Sequence, residues 1–440
     1  MTNLSTDLAQ KNVFSTIFIG AGPAGLGSLV YAEKNNILQQ LLDSKIAIIE
    51  KSSTLGMGTI GKYEINSDTP GGGFLECLSN ESHIFKSMLE LPETKYFSEH
   101  ADTYVPLKLV GSYMNKLGDC LESAINSHPT SKVFKNTEVI SIHLLPNKIK
   151  LIKSKTLISK NEYTEKEYYA KNIIIATGAK QNRNKILSKN IAELGVFLDK
   201  KYDKKVILSD EVLSGTGINQ IKKLLKHPKN KIIVLGAFHS AFASIVSILK
   251  NTSEHPFDNS SINILYNDPP KVYYQSKEDA FKEGYKAFNK NDICPRTNRV
   301  FRFGGLRMES RDLLRKIMGL HPQVKEKRVI LTKYPKNPNE LEFLLNEATV
   351  IIAALGYNRL EIPIFHGDGE KVELRPNEEP FVDNTCNVLT QNGEKLQGIY
   401  GVGLASGYTP EGGEASFSGH TNSIWIYQNP TAKNILKQVM

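Results

Sequence analysis

Ser15-Thr16-Ile17-Phe18-Ile19-Gly20-Ala21-Gly22-Pro23-Ala24-Gly25-Leu26-Gly27 is the stretch that decides the fold. A short β-branched and aromatic run breaks into Gly-x-Gly-x-x-Gly and then into a helix-forming segment, Leu26 to Leu42. Each glycine has a physical task. Gly20 allows the tight turn out of the strand, Gly22 lets a pyrophosphate approach the backbone, and Gly25 lets the helix lie close to the sheet. The helix then offers free N–H groups and a partial positive charge to the phosphates. Lys45-Ile46-Ala47-Ile48-Ile49-Glu50-Lys51 predicts the next strand. Its terminal acid, Glu50, stands where a ribose hydroxyl would be bound, roughly 20 residues or more past the glycines. Strand, glycines, helix, strand and acid in this order predict a dinucleotide site.

Composition narrows the class. The 440 residues, 40% hydrophobic and 23% charged, suit a globular chain of two or three domains. The net charge of +9 comes from lysines spread along the whole chain, not gathered on one arm. That spread favours attraction of anionic cofactors over nucleic-acid binding. Met1 to Asn12 is polar, without an apolar signal core, and no run approaches a membrane span. Cys77, Cys120, Cys294 and Cys386 are far apart, with no Cys-x-x-Cys. This points to a reducing, cytoplasmic setting and against a disulfide framework, a zinc ribbon or a dithiol reductase.

Further along, Lys51 to Gly58 and Tyr63 to Gly73 are polar and glycine-rich, so they must follow the surface or a ligand. Val110 to Ile125 has the apolar spacing of a core-facing helix, and Glu138 to Tyr169 reads as a three-stranded meander. Ile173-Ile174-Ile175-Ala176-Thr177-Gly178 is a continuous apolar strand with a small-residue end, as in a parallel sheet whose end lies against a cofactor. Gln181 to Lys205 reads as a linker. A second strand–glycine–helix–strand unit begins at Val206, with Gly236 at its turn and Ser240 placed to hold a pyrophosphate. His239 reads as packing or capping there. Lys271 to Lys290 reads as a surface segment. In the arginine-rich stretch that follows, Arg299, Arg302 and Arg307 are candidates to face an anion, and Arg311 and Arg315 fit a solvated helix. Thr349 to Tyr357, ending at Gly356, echoes Ile173 to Gly178 and reads as the chain re-entering the first domain. Ile399 to Gly407 ends in glycines, with Gly403 and Leu404 placed against the first cofactor, and a helix follows from about Thr421. The expected fold is α/β, with two Rossmann-like units. Residues 1–205 and 341–440 form one, and 206–340 form the second, inserted unit.

The arrangement resembles the flavin-dependent monooxygenases that use NAD(P)H, and within them the N-hydroxylating ornithine and lysine monooxygenases. Gly22-Pro23-Ala24-Gly25 near the N-terminus looks like an FAD fingerprint. Glu50-Lys51 with Gly56-Met57, Phe74-Leu75-Glu76-Cys77-Leu78, Leu208-Ser209-Asp210-Glu211, Gly236 to Ala241, Thr297-Asn298-Arg299-Val300-Phe301 and Ala354-Leu355-Gly356-Tyr357 follow the family's motifs in order. The resemblance implies FAD held by Gly20, Gly22, Pro23, Ala24, Gly25, Glu50, Lys51, Gly58, Thr177, Gly178, Gly356, Gly403 and Leu404. It implies NADPH or NADH at Gly236 and Ser240, and substrate contacts at Glu76 and Asn298.

Three departures stand out. Glu76 replaces the lysine that meets the amino-acid carboxylate in the family, so this chain suits a substrate with an amine or neutral polar group there. Two glycines of the second turn are Ala237 and Phe238. No arginine ends the strand at Tyr266-Asn267, so recognition of a 2′-phosphate is open, with Lys271 or the arginines able to supply it. The implied cycle is reduction of FAD by NAD(P)H, addition of oxygen to give a flavin hydroperoxide, and oxygen transfer to a nitrogen, sulfur or carbonyl carbon of a small molecule. No acid–base residue is assigned, no metal is expected, and a homo-oligomer is compatible with the sequence. The alternatives are a dehydrogenase or reductase that does not oxygenate, and a degenerate flavoprotein that only binds a partner.

Overall fold

The computed structural model describes residues 12–78, 82–225, 229–255, 257–295, 297–302, 304–320, 322, 324–377, 379–403, 406–408 and 430–440. The chain begins with β1 (Val13–Ile19), turns through the glycines into α1 (Pro23–Lys34) and returns as β2 (Ile46–Ile49). The helical segment is shorter than expected. It stops at Asn35 and resumes as a short helix, Leu38–Asp43, because Asn36 takes a left-handed conformation that asparagine tolerates.

Next come β3 (Asn66–Pro70) and β4 (Tyr104–Pro106), an antiparallel pair with the helices Gly71–Leu75 and Pro92–Glu99 between them, then the long α2 (Leu107–Ser127) and β5 (Lys132–Phe134). The meander follows as β6 (Thr137–Leu144), β7 (Lys150–Ser159) and β8 (Glu162–Ile175). The far half of β8 changes partners. It runs parallel to β1, with Ile173 opposite Ile17, so the strand joins the meander to the central sheet.

The chain then leaves through β9 (Ala179–Lys180) to a second sheet: β10 (Val206–Leu208), β11 (Ile232–Leu235), α3 (His239–Asn251), β12 (Ile262–Tyr266), α4 (Met308–Met318), β13 (Val329–Lys333), α5 (Pro338–Glu347) and β14 (Val350–Ala353). These five strands lie in the order β10-β14-β11-β12-β13, all parallel. The chain returns through β15 (Asn358–Arg359), antiparallel to β9, and completes the first sheet with β16 (Ile364–Phe365), β17 (Asn387–Leu389) and β18 (Lys395–Gly401). Parallel strands in the order β5-β2-β1-β8-β18 form the core of that sheet. The C-terminal helix is described from Pro430 to Val439, and its expected start near Thr421 lies outside the described residues.

The insertion is larger than the sequence suggested. Val350–Ala353 does not return to the first sheet but sits between β10 and β11, and α5 packs beneath it with Leu341 and Leu345. The likeness of this strand to Ile173–Gly178 is therefore a repeat of fold, each being the corresponding strand of its own unit. Gln181 to Lys205 is not a free linker either, since Ile186, Ile191, Val196, Leu198 and Tyr202 cover one face of the second sheet. Likewise Lys271 to Lys290 buries Val272, Tyr274 and Tyr285 on the opposite face. These irregular segments lack a helix or strand period, which is why their apolar residues escaped a periodicity argument. Between them the two covers explain the continuous apolar strands. Alternate residues, such as Ile232 and Val234 against Ile233 and Leu235, enter two different cores.

The repeat extends to the turns. Gly20 and Gly236 both have positive φ, +93° and +97°. A Cβ on Gly20 would stand 2.5 Å from the Ala176 carbonyl oxygen, and one on Gly236 would strike the carbonyl of Ala354. Gly20→Ala and Gly236→Ala should each cost ~2 kcal/mol or more, from backbone strain and displacement of the neighbouring strand. Thermal unfolding followed by circular dichroism checks this, and an unchanged Tm in either variant would contradict it.

Candidate functional site

The C-terminal strand ends of the two units face one cleft of about 1250 Å³. From the first unit it is lined by Gly20, Gly22, Pro23, Ala24, Glu50, Lys51, Gly58, Thr177, Gly178 and Gly403. From the second come His239, Ser240, Lys250, Arg307 and Glu309.

On the first side the glycines divide their work as the sequence implied. A Cβ on Gly25 would collide with the Gly20 carbonyl, so this position serves packing of α1 on the turn. A Cβ on Gly22 would meet only Gly58 Cα, at 3.6 Å. The space over Gly22 is thus left open by the protein, at the first turn of a helix that begins with Pro23. Glu50 Oε2 accepts from the Ala21 N–H at 2.6 Å, and Oε1 accepts from the N–H and hydroxyl of Ser52 at 2.8 and 2.7 Å. The carboxylate therefore ties the glycine turn to the end of β2, while its free lone pairs stay beside the cleft. An open glycine shelf, a helix N-terminus and an adjacent acid fit the FAD expected here.

Other expected residues fall differently. Lys51 lines the cleft but pairs with Glu138 at 2.7 Å. The Thr177 hydroxyl donates to the Leu360 carbonyl at 2.7 Å, fixing the strand end. Gly356 stands outside the cleft, its carbonyl accepting from the Gln181 side chain at 3.3 Å, while its neighbour Tyr357 lines it. Leu404 lies outside the described residues.

On the second side Gly236 sits beneath the turn and only Ser240 of the expected pair reaches the cleft. Of the three candidate arginines, Arg307 alone lines it. Its guanidinium lies over the Tyr273 ring at 4.4 Å and donates to the Arg302 carbonyl. Burial holds Arg307 below its ordinary basicity, with Tyr273 and Asp68 opposing that effect. Arg302 is buried near Cys294 and Arg315 pairs with Glu283, so both are structural. Lys271 lies over the Phe301 ring, away from the cleft. His239 belongs to the cleft rather than to packing alone. Burial lowers its pKa, and its Nδ1 faces Asp68 Oδ2 at 3.9 Å.

Glu76 and Asn298 are both exposed and neither lines this cleft. Burial raises the Glu76 pKa, opposed by the charges of Lys34 and Arg299. Arg299 therefore ties the neighbourhood of Asn298 to Glu76, and the two expected substrate residues share one charged region.

Sequence reasoning missed the joint between the units. Asp210 accepts from the Tyr63 hydroxyl at 2.7 Å, the Tyr357 hydroxyl at 3.3 Å and Lys62 Nζ at 2.9 Å. Burial first, and then the mutual charges, raise both tyrosines above their ordinary values. Asn66 Nδ2 donates to Glu309 Oε2 at 2.9 Å, a second bond across the joint. The polar, glycine-rich composition of Tyr63 to Gly73 was the signal for this segment, and its first part, Tyr63 to Asp68, lines the cleft while Thr69 to Gly73 do not.

With this geometry in place, known proteins can be compared. The model of the pyridine nucleotide-disulphide oxidoreductases matches residues 14–241. The chain belongs to this family. This oxidoreductase is 26% identical over 439 residues to the CMP-5'-(3-aminopropyl)phosphonate hydroxylase of Streptomyces rubellomurinus, with 97% of each chain covered. Its fold is similar to that of the FAD-bound cadaverine monooxygenase of desferrioxamine biosynthesis from Erwinia amylovora, with TM-score 0.58, 14% identity, and coverage of 97% and 94% of the two chains. It is also similar to the ornithine N-hydroxylase of Kutzneria sp. 744, with TM-score 0.52, 15% identity, and coverage of 97% and 99%. The oxidoreductase has no dithiol at its cleft. Cys77, Cys120, Cys294 and Cys386 form no disulfide and none lines it, and burial pushes the Cys77 thiol up to about 11.

The two glycines make a paired prediction. Gly22→Ala should fold with nearly unchanged stability but bind FAD ~10–100-fold more weakly, the cost of one or more charge-assisted hydrogen bonds. Gly25→Ala should fail at the level of stability. Tm of the flavin-free protein and a flavin titration separate the two, and normal flavin binding by Gly22→Ala would contradict the assignment.

Proposed function

We propose that this oxidoreductase is an FAD-dependent, NAD(P)H-consuming monooxygenase that hydroxylates the nitrogen of a primary amine. The observation that carries the reading is the shared cleft, with an open glycine shelf on one wall and the start of α3 with Ser240 and Arg307 on the other. Residues 12–180 and 358–440 form the flavin unit, and 181–357 form the nicotinamide unit. Bound FAD would supply hydride acceptance and the passage of electrons to oxygen. The chain's own part is positional. Gly20, Gly22 and the start of α1 hold the flavin pyrophosphate, and Glu50 fixes the ribose. Ser240, Arg307 and the start of α3 hold the nicotinamide carrier. The walls of the cleft keep water from the reacting atoms.

Disulfide reduction is disfavoured by the cysteines, which sit away from the cleft. For the substrate, the Streptomyces relative is named for an amine carried on a nucleotide-linked phosphonate. Glu76 together with Lys34 and Arg299 suits a molecule of that kind, a cationic amine joined to a phosphorus oxyanion.

Purified protein should be yellow and consume oxygen with NADPH or NADH. An amine bearing a phosphonate or phosphate should accelerate that consumption and gain one labelled oxygen atom from ¹⁸O₂. Release of peroxide alone, with every amine unchanged, would contradict the proposal. Glu76→Gln should raise the KM for the amine ~10-fold with kcat little changed, as expected for loss of one charged contact.

A further inference from the structure

The second glycine turn keeps the shape of the first but not its open shelf. Phe238 occupies the position of Gly22, immediately before α3, and its backbone is extended there (φ −113°, ψ −171°), close to that of Gly22 (φ −71°, ψ −175°). Its ring is 52% exposed and stands edge-on to the His239 ring at 5.0 Å. A phosphate cannot approach this backbone as it can approach Gly22, because the side chain projects from the atom it would pass.

Charged side chains gather beside the blocked shelf. Arg307 is half-buried, uses one donor on the Arg302 carbonyl and lies over Tyr273. A guanidinium withdrawn from water needs an anion. Asp68 is a carboxylate whose charge supports that of Arg307. Asp68 also faces His239 Nδ1, whose ring further bonds the Gly305 carbonyl. Asp68 comes from the flavin unit, on β3, and the same strand is fastened to α4 by the Asn66–Glu309 hydrogen bond. Asp68, His239 and Arg307 all line the cleft.

We propose that the nicotinamide dinucleotide's pyrophosphate is gripped by the side chain of Arg307 instead of by a glycine backbone, and that Asp68 is a built-in anion which it displaces. The inference rests on the reading of the second unit as the NAD(P)H site and deepens it. Asp68 supplies one negative charge to the start of α3 and to Arg307, and a pyrophosphate supplies two. The exchange favours the cofactor, yet Asp68 always lowers its net affinity. Entry of the cofactor also separates β3 from α3, loosening the contact between the units at that place.

Binding of NADP⁺, NAD⁺ and ADP-ribose to the FAD-loaded protein, measured by isothermal titration calorimetry, tests this without turnover. Asp68→Asn should tighten all three ~10-fold, and Arg307→Gln should weaken all three by about the same factor. Nicotinamide riboside, which has no phosphate, should respond to neither. Phe238→Gly reopens the shelf and should restore part of the affinity lost in Arg307→Gln when the two are combined. Thermal unfolding of each variant reports whether it is folded, and the nearly isosteric Asp68→Asn decides the matter if Arg307→Gln is not. Wild-type binding with an unchanged or weaker affinity in Asp68→Asn overturns this inference and leaves the functional reading standing. Failure of wild-type protein to bind either dinucleotide overturns both.

Discussion

Everything in this molecule depends on one steric constraint met twice. At the end of a parallel strand the chain must turn sharply into a helix while passing the carbonyl of the adjacent strand. Gly20 does so against Ala176, and Gly236 against Ala354. A side chain at either position would push two strands apart. Because the constraint holds in both units, each has its helix start directed to the carboxyl edge of its sheet, and this is where an open α/β sheet binds its ligand.

The two edges become one site through the joint between the units. β9 and β15 carry the two crossings side by side, and Asp210 gathers Tyr63, Lys62 and Tyr357 from both sides. A carboxylate with three donors from two segments ties the units together beside the cleft, which Tyr63 and Tyr357 line. The geometry brings the glycine shelf of the first unit opposite the start of α3 in the second, an arrangement that suits hydride transfer between two bound cofactors. The family's name refers to disulfides, and in this chain no cysteine lines the cleft.

Much of this was legible in the sequence because periodic patterns and glycine spacing are local. The first turn, the meander with its breaks, and the apolar parallel strands follow from residues that are neighbours in the chain. Val350–Ala353 was read as a return to the first domain because the two units are built alike, and likeness of pattern cannot say to which sheet a strand belongs. Tyr274, Tyr285 and Ile191 were hidden because irregular segments bury residues without a period. The partners of Asp68 and Asp210 have no local signal, although Asp210 lies in the Leu208–Glu211 motif and Asp68 in the polar stretch Tyr63 to Gly73. The significance of both acids comes from partners more than a hundred residues away, His239 and Tyr63. Arg307 could be selected among its neighbours only once Arg302 and Arg315 were seen to be engaged elsewhere.

The most direct measurement is the single-turnover reduction of the FAD-loaded protein by NADPH or NADH, mixed anaerobically and followed by the visible absorbance of the flavin. The account predicts that the flavin colour is lost in a rapid phase whose rate saturates with the nicotinamide concentration, since both cofactors occupy one cleft. A flavin that keeps its colour with both nicotinamides would contradict it.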